Sequence, residues 1–103
     1  MPTVYVIQND NNKDLSGAKR YGDLEAVFFN PRKPYDTNFL LDMAHKVLSK
    51  ITKYDYILML GDPALCGVCT AVAREYCDEI NILSWDRRSF SYLPLTFDFS
   101  DAE

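Results

Sequence analysis

The chain has 103 residues, of which 48% are hydrophobic and 14% aromatic; this composition excludes a wholly disordered protein and predicts one domain over residues 1–103. Fifteen acidic and eleven basic residues give an acidic net charge of −4, which disfavours binding of duplex nucleic acid through its phosphates. No apolar stretch reaches the ~20 residues of a membrane span, and the first residues do not resemble a signal peptide. We therefore expect a cytoplasmic protein with no membrane partner.

The first half of the sequence predicts two strands, a short helix and a long helix. Residues 3–8 are β-branched and aromatic, as is typical of a strand, and a polar loop follows them. Residues 15–21 predict a short helix, which Gly22 ends in the left-handed conformation that glycine tolerates. Residues 24–29 predict a second strand. A helix with a one-sided apolar stripe is predicted over residues 37–53.

The middle of the chain contains an apolar run that turns directly into a helix. Residues 56–60 are apolar at every position, which predicts a strand buried on both faces, as in the middle of a parallel sheet. A helix is predicted over residues 63–77, with Asp62 as its N-cap and Pro63 as its first residue. Gly67, inside this helix, is expected to let the helix approach the sheet closely.

The last two strands complete an α/β pattern. They are predicted over residues 80–85 and 90–99, and Pro94 places the last one at a sheet edge or bulge because proline has no N–H. Alternating strands and helices with right-handed crossovers predict a mostly parallel, flavodoxin-like sheet in the order 2-1-3-4-5. The domain would have two or three layers, with an antiparallel edge strand at its C-terminal end. The first and third strands would meet where the strand order reverses.

Polar residues follow these two neighbouring strands. Asn9 and Asp10 follow the first strand, and Gly61 and Asp62 follow the third. Ligands of open α/β sheets bind at this edge, and clustered carboxylates, with Asp14 in reach, are suited to Mg²⁺. One interpretation is a small-ligand or nucleotide site whose carboxylates could hold Mg²⁺; apart from this, we expect no cofactor. The alternative is structural: Asp62 caps a helix and Asp10 belongs to a solvated turn.

Cysteines near the start of the second long helix allow three interpretations. Cys66 and Cys69 form a Cys-x-x-Cys motif, which is typical of thiol redox proteins when the first thiol is exposed at the helix N-terminus. Both also fall on the apolar face of the helix, where cysteine packs as a small hydrophobe. A zinc site could combine them with Cys77 and His45, although one Cys-x-x-Cys motif without a second pair is weak evidence for zinc.

A cluster of aromatic and basic residues lies where the fourth strand turns into the fifth. Trp85, Arg87 and Arg88 precede the turn or lie in it, and Tyr92 follows it. Tryptophan, tyrosine and arginine are enriched in binding hot spots, so these residues predict an interaction surface. The alternative is an ordinary hairpin in which Trp85 packs on Tyr92 across the strands. The edge of the last strand offers a further surface for a homodimer or a host protein.

Two short motifs carry a resemblance to known proteins. Residues 54–63, Tyr-Asp-Tyr-Ile-Leu-Met-Leu-Gly-Asp-Pro, and residues 82–87, Ile-Leu-Ser-Trp-Asp-Arg, are followed by an aromatic closing strand. Over residues 54–99 the chain resembles a family of small bacteriophage proteins, and residues 14–18 and 21–22 extend the likeness loosely into the N-terminal third. The resemblance implies a phage origin, the cytoplasm of an infected host and a compact α/β fold. It transfers no catalytic residue.

These observations lead to one main functional hypothesis and three alternatives. The main hypothesis is a phage-encoded accessory protein that acts by protein–protein interaction, modulating a host protein or assembling with itself, without catalysis. The first alternative is a ligand-binding module at the Asp10 and Asp62 edge. The others are a thiol redox protein that uses Cys66 and Cys69, and a minor virion component.

Overall fold

A computed structural model of the chain describes residues 1–9 and 14–100. These ranges contain five strands: β1 (Thr3–Asn9), β2 (Asp23–Phe29), β3 (Tyr56–Leu58), β4 (Glu79–Asp86) and β5 (Ser91–Asp98). They also contain a 3₁₀ helix (Ser16–Tyr21) and two α-helices, α1 (Thr37–Leu48) and α2 (Pro63–Tyr76). None of the helices in this part of the chain has the length and apolar character needed to cross a bilayer.

All five strands belong to one sheet, in the order β2-β1-β3-β4-β5. Strands β2, β1, β3 and β4 are parallel, and β5 pairs antiparallel with β4 in an unbroken register. The predicted α/β class is confirmed, and the strand order is the one expected for a flavodoxin-like sheet. Pro94 lies in β5 at the sheet edge, where a missing N–H disrupts no interior ladder.

The sheet is covered on both faces by different elements. Helices α1 and α2 pack on one face, where Ile7 and Ile57 contribute to the larger hydrophobic core. The 3₁₀ helix packs on the other face, over Val6 and Leu58. Because successive side chains of a strand point to opposite faces, the central strands need apolar residues at every position. The apolar run in β3 is thus explained by burial on both sides.

Helix α1 ends at Leu48, five residues before the predicted end at Lys53. The carboxylate of Asp55 accepts hydrogen bonds from the N–H (2.8 Å) and the hydroxyl (3.1 Å) of Thr52, which holds this segment in a turn. The same carboxylate accepts a hydrogen bond from the N–H of Thr3 at 2.8 Å, at the start of β1. One buried acidic side chain therefore connects the loop before β3 to the first strand.

Two glycines have roles that differ from those predicted. Gly22 ends the 3₁₀ helix with φ 157° and ψ −176°, which is extended and not left-handed helical. It is required there because a Cβ would overlap the carbonyl group of Pro2. Gly67 does not bring α2 close to the sheet, because it is exposed and a Cβ added to it would meet no atom within 4 Å.

Candidate functional site

The carboxyl ends of β1 and β3 border a shallow cavity of about 580 Å³. The two strands pair in parallel, so the predicted point of order reversal is present. Asn9 is the last residue of β1, whereas Asp10 lies outside the described residues, so its approach to Asp62 stays a prediction. The cavity, which we call the rim cavity, is lined by Gln8, Pro31, Lys33, Tyr35, Asp62 and Pro63.

The carboxylate of Asp62 is occupied by donors of the chain itself. It caps α2 by accepting the N–H of Ala64 at 2.9 Å, which confirms the predicted N-cap. It also accepts the hydroxyl of Tyr35 at 3.0 Å and lies 3.4 Å from the ammonium group of Lys33. The N–H of Ala64 first, and then the Tyr35 hydroxyl, lower the pKa of Asp62. No group of three metal-ligating side chains occurs in the described ranges, so the Mg²⁺ interpretation gains no support there.

Gly61 shapes the floor of the rim cavity. Its φ of 119° is a conformation that only glycine adopts easily, and a Cβ on it would overlap the side chain of Gln8. The Gln8 side-chain oxygen accepts the N–H of Asp62 at 2.8 Å, while the Gln8 N–H donates to the carbonyl of Leu60 at 3.1 Å. The N–H of Leu60 donates to the carbonyl of Leu58 at 2.9 Å, and this tight turn ends β3 at Leu58, two residues before the predicted end.

The lowered pKa of Asp62 predicts a pH-dependent contribution to stability. A carboxylate whose folded pKa is depressed stabilises the fold above its unfolded value of 3.8, and this stabilisation is lost as the pH falls through the folded pKa. Asn caps helices as well as Asp but has no charge. We expect Asp62→Asn to be less stable than wild type at neutral pH, with the difference vanishing in acid. Urea unfolding of wild type and Asp62→Asn at neutral and at acidic pH measures this difference in stability. A difference that does not change with pH would contradict a stabilising role for the charge of Asp62.

The cysteines of α2 pack as core residues. Cys69 is buried and Cys66 half-buried, and neither forms a disulfide. Burial raises the pKa of Cys69 to about 12 and also raises that of Cys66. Redox thiols need a lowered pKa, so the redox interpretation gains no support from these positions. Cys77 and His45 do not join them in a metal-ligating group within the described part of the chain.

The hairpin between β4 and β5 brings together the residues proposed for protein contact. Trp85 and Tyr92 are cross-strand partners, with ring centroids 4.9 Å apart in an edge-to-face arrangement. The packing of Trp85 on Tyr92 is thus present, yet 49% of Trp85 stays exposed. The pair can therefore be a structural contact of the hairpin and part of an interaction surface at once, because the contact fixes the indole while leaving much of it accessible.

Phe90, at the end of the turn, is a site residue that the sequence analysis missed. It is 78% exposed and has φ 52°, a left-handed conformation that costs non-glycine residues about 1–2 kcal/mol. The Asp86 carboxylate holds the turn by accepting the Ser89 hydroxyl (2.6 Å) and N–H (3.1 Å), and the hydroxyl lowers the pKa of Asp86. The turn thus displays an aromatic ring from a fixed backbone. The sequence signal for this turn was Asp86 three residues before Ser89, because Asp side chains commonly accept hydrogen bonds within a turn.

Two arginines complete this surface, which we call the hairpin patch: Trp85, Arg87, Arg88, Phe90 and Tyr92. Arg87 and Arg88 are exposed and form no ion pair with a carboxylate of the described residues. Asp14 lies beside the patch and not at the rim cavity, because the 3₁₀ helix that follows it packs under the hairpin. The patch borders a cavity of about 370 Å³ lined by Asp14, Ser16, Gly17, Arg20, Trp85, Phe90, Ser91 and Tyr92.

Comparison with known proteins identifies the family. The model of the phage Pam3 gp32-like protein family matches residues 2–99. The chain belongs to this family. The phage Pam3 gp32-like match confirms the resemblance to small phage proteins and extends it beyond residues 54–99 to nearly the whole chain. No curated protein and no solved structure matches the chain. Because the chain belongs to the phage Pam3 gp32-like family, it is a phage protein. Which of its surfaces binds another molecule, the rim cavity or the hairpin patch, is a question for their geometry.

Proposed function

We propose that this phage protein is a non-catalytic accessory protein that binds another protein through the hairpin patch. The observation that carries the proposal is the distribution of exposed large hydrophobic side chains. Of the eleven in the described ranges, Trp85 (49% exposed) and Phe90 (78% exposed) are neighbours that line the same cavity of about 370 Å³. Exposed apolar residues scattered singly are normal, whereas a contiguous apolar patch is typical of a surface that another molecule covers.

The chemistry of the hairpin patch indicates the surface that would fit it. Phe90 and Trp85 offer two aromatic anchors, and buried aromatic anchors carry much of the energy of protein interfaces. Arg87 and Arg88 flank these anchors with positive charge, although the chain as a whole has a net charge of −4. A complementary partner therefore presents an apolar pocket with carboxylates at its border, which would steer association and fix the orientation.

The turn also supports binding by being held in one conformation. Asp86 and Ser89 fix the backbone by two hydrogen bonds, and the Tyr92 ring supports one face of Trp85. Ordering a flexible loop on binding costs free energy, so an anchor displayed from a fixed turn binds more tightly than the same anchor on a mobile loop. The strained φ of Phe90 is consistent with selection for display of its ring.

Capture from a lysate of phage-infected bacterial cells tests the proposal. We expect the wild-type chain to retain one protein in stoichiometric amount, and Phe90→Ala and Arg87→Ala to lose about 90% of it, because the first removes an aromatic anchor and the second a flanking positive charge. Tyr54→Ala is the matched control, since Tyr54 is 66% exposed and lies outside the patch. Retention of the same protein by all the variants would contradict the role of the patch. A phage structural protein as the captured partner would assign the chain to the virion.

A second candidate function is ligand binding at the rim cavity. Its support is the position of the cavity at the carboxyl ends of β1 and β3, where open α/β sheets bind ligands. Lys33 offers a cation there, and 74% of its side chain is exposed. Thermal unfolding with Mg²⁺ and with nucleotides measures this. A rise in Tm that Lys33→Ala abolishes would support ligand binding, and flat responses across the panel would exclude it for those ligands.

A further inference from the structure

In β5, the backbone N–H and C=O groups of every second residue point away from β4, toward the free edge of the sheet. The N–H of Met59 donates to the carbonyl of Leu83 at 3.4 Å, so that carbonyl faces β3. Because backbone groups of successive strand residues point to opposite sides, Leu83 and its β5 partner Pro94 form a non-hydrogen-bonded pair. The N–H of Phe99 donates to the carbonyl of Asp78 at 2.9 Å, so this odd-numbered residue points its backbone groups toward the chain of β4. The even-numbered residues of β5 therefore point their backbone groups away from β4.

The side chains of β5 form an apolar stripe on the face that carries the helices. Leu93, Leu95 and Phe97 lie on this face, opposite Ser84, Ile82 and Ile80 of β4. The two isoleucines pack in the larger core. The helices nevertheless leave 45%, 45% and 46% of the three β5 side chains exposed. The edge of the sheet thus combines outward-facing backbone groups with exposed apolar side chains.

We infer that β5 pairs antiparallel with β5 of a second copy of the chain, about a two-fold axis at Thr96. In this register, Thr96 of one copy and Thr96 of the second copy exchange two backbone hydrogen bonds. The N–H of Asp98 donates to the carbonyl of Pro94 in the second copy, and symmetry repeats this bond. Pro94 is used only as an acceptor, so its missing N–H prevents none of these four bonds.

The register follows from the contacts of Tyr92. An axis at Leu95 would make the Tyr92 carbonyl, which already accepts the hydroxyl of Tyr21 at 3.0 Å, a shared acceptor for Asp98 of the second copy, and the axis at Thr96 avoids this competition. The axis at Thr96 leaves this contact intact. It also places Leu95 directly beside Phe97 of the second copy, twice by symmetry, and such apolar cross-strand pairs stabilise sheets.

Charge favours a second copy as the occupant of this edge. Residues 91–97 carry no charged side chain, so pairing the segment with itself sets no like charges opposite one another. Asp98, the charged residue of β5, falls opposite Pro94 of the second copy. Monomeric proteins protect edge strands with charges, notably lysine, and with proline. β5 has no lysine, and its one proline, Pro94, still offers a carbonyl acceptor to a second strand. An edge with no charged side chain between residues 91 and 97 fits antiparallel pairing with a second copy of itself.

The dimer uses a different surface from the hairpin patch and does not rest on the function proposed for it. Phe90 lies six residues from Thr96, so the two patches would project from opposite ends of the paired strands. At about 3.3 Å per residue they would be roughly 40 Å apart. The assembly would form one ten-stranded sheet with two binding ends, and it could engage two partners at once.

The mass of the protein in solution tests the inference. Sedimentation equilibrium should give twice the chain mass of 11.9 kDa for the wild type, and the single mass for Leu95→Lys, which places a charge beside Phe97 of the second copy. Leu41→Lys on α1 is the matched control, because Leu41 is 43% exposed, and it should stay dimeric. A monomeric wild type, or a dimer that Leu95→Lys leaves intact, would overturn the inference.

Cross-linking tests the register independently of that substitution. Hydrogen-bonded antiparallel partners have Cα atoms about 5.5 Å apart, within the range of a disulfide. Thr96→Cys should therefore form a covalent dimer with oxidised glutathione, above the background of the three native cysteines in wild type. Pro94→Cys should form no such dimer, because residue 94 lies opposite Asp98 of the second copy, four residues from the matching cysteine. Equal cross-linking of the two variants would overturn the register. Phe90→Ala should remain dimeric, so loss of partner binding and loss of the dimer are separate results.

Discussion

Replacing Asp55 with alanine is expected to lower the free energy of unfolding by about 3 kcal/mol, because hydrogen bonds to a charged group are worth about 1.5–3 kcal/mol and their loss leaves partly buried donors without an acceptor. Asp55 is 8% exposed and accepts three hydrogen bonds from Thr3 and Thr52. Alanine would leave the backbone N–H groups of both threonines without their acceptor. The start of β1 and the turn after α1 would lose their shared contact.

Urea unfolding of two variants with a control measures this effect. Asp55→Asn keeps one acceptor oxygen, but it presents an amide donor where the second oxygen stood, so its loss should lie between those of wild type and Asp55→Ala. Asp42→Ala is the control, since Asp42 is an exposed acidic residue of α1, and it should change the free energy by less than about 0.5 kcal/mol. Equal effects of Asp55→Ala and Asp42→Ala would show that the hydrogen bonds of Asp55 contribute little.

Gly61→Ala is expected to cost about 3 kcal/mol, because it combines an unfavourable φ with a steric overlap. The φ of Gly61 is 119°, and the added Cβ would overlap the Gln8 side chain. Relief of that overlap would move Gln8 and break its hydrogen bond to the N–H of Asp62. The damage would therefore include the rim cavity as well as the backbone.

The matched control for Gly61→Ala is the same substitution in α2. At Gly67 an added Cβ meets no atom within 4 Å, and alanine has the higher helix propensity. We expect Gly67→Ala to raise the free energy of unfolding by about 0.5–1 kcal/mol, so the two glycine substitutions should have opposite signs. Thermal and urea unfolding of both variants would show this. A stable Gly61→Ala variant would refute the close approach of Gly61 to Gln8.

The parts of the fold that were predictable are those that local pattern determines. The apolar run of β3 indicated burial on both faces, and the N-cap at Asp62 followed from residue type and position. The end of α1 was predicted too late, because the turn between Thr52 and Asp55 that follows it is tied to the distant Thr3 through the same carboxylate. The requirement for glycine at Gly22 likewise comes from the backbone of Pro2, which sequence pattern does not reveal.

The candidate site was predictable to the extent that its residues are neighbours in sequence. Trp85, Arg87 and Tyr92 belong to one hairpin, so a correct hairpin places them on one surface. Phe90 was missed because its exposure depends on the turn conformation. Lys33 and Tyr35 were missed at the rim cavity because their loop reaches Asp62 only in the folded chain.

Site-specific photo-cross-linking in infected cells tests the central proposal, binding through the hairpin patch, most directly. A benzoyl-phenylalanine incorporated in place of Phe90 reacts only with groups within a few ångströms of the ring. In place of Tyr54, which is exposed outside the patch, it provides the control. We predict one protein adduct of defined mass from the Phe90 position and none from the Tyr54 position. Adducts that are absent at Phe90, or the same at both positions, would contradict the proposal that the hairpin patch binds a partner.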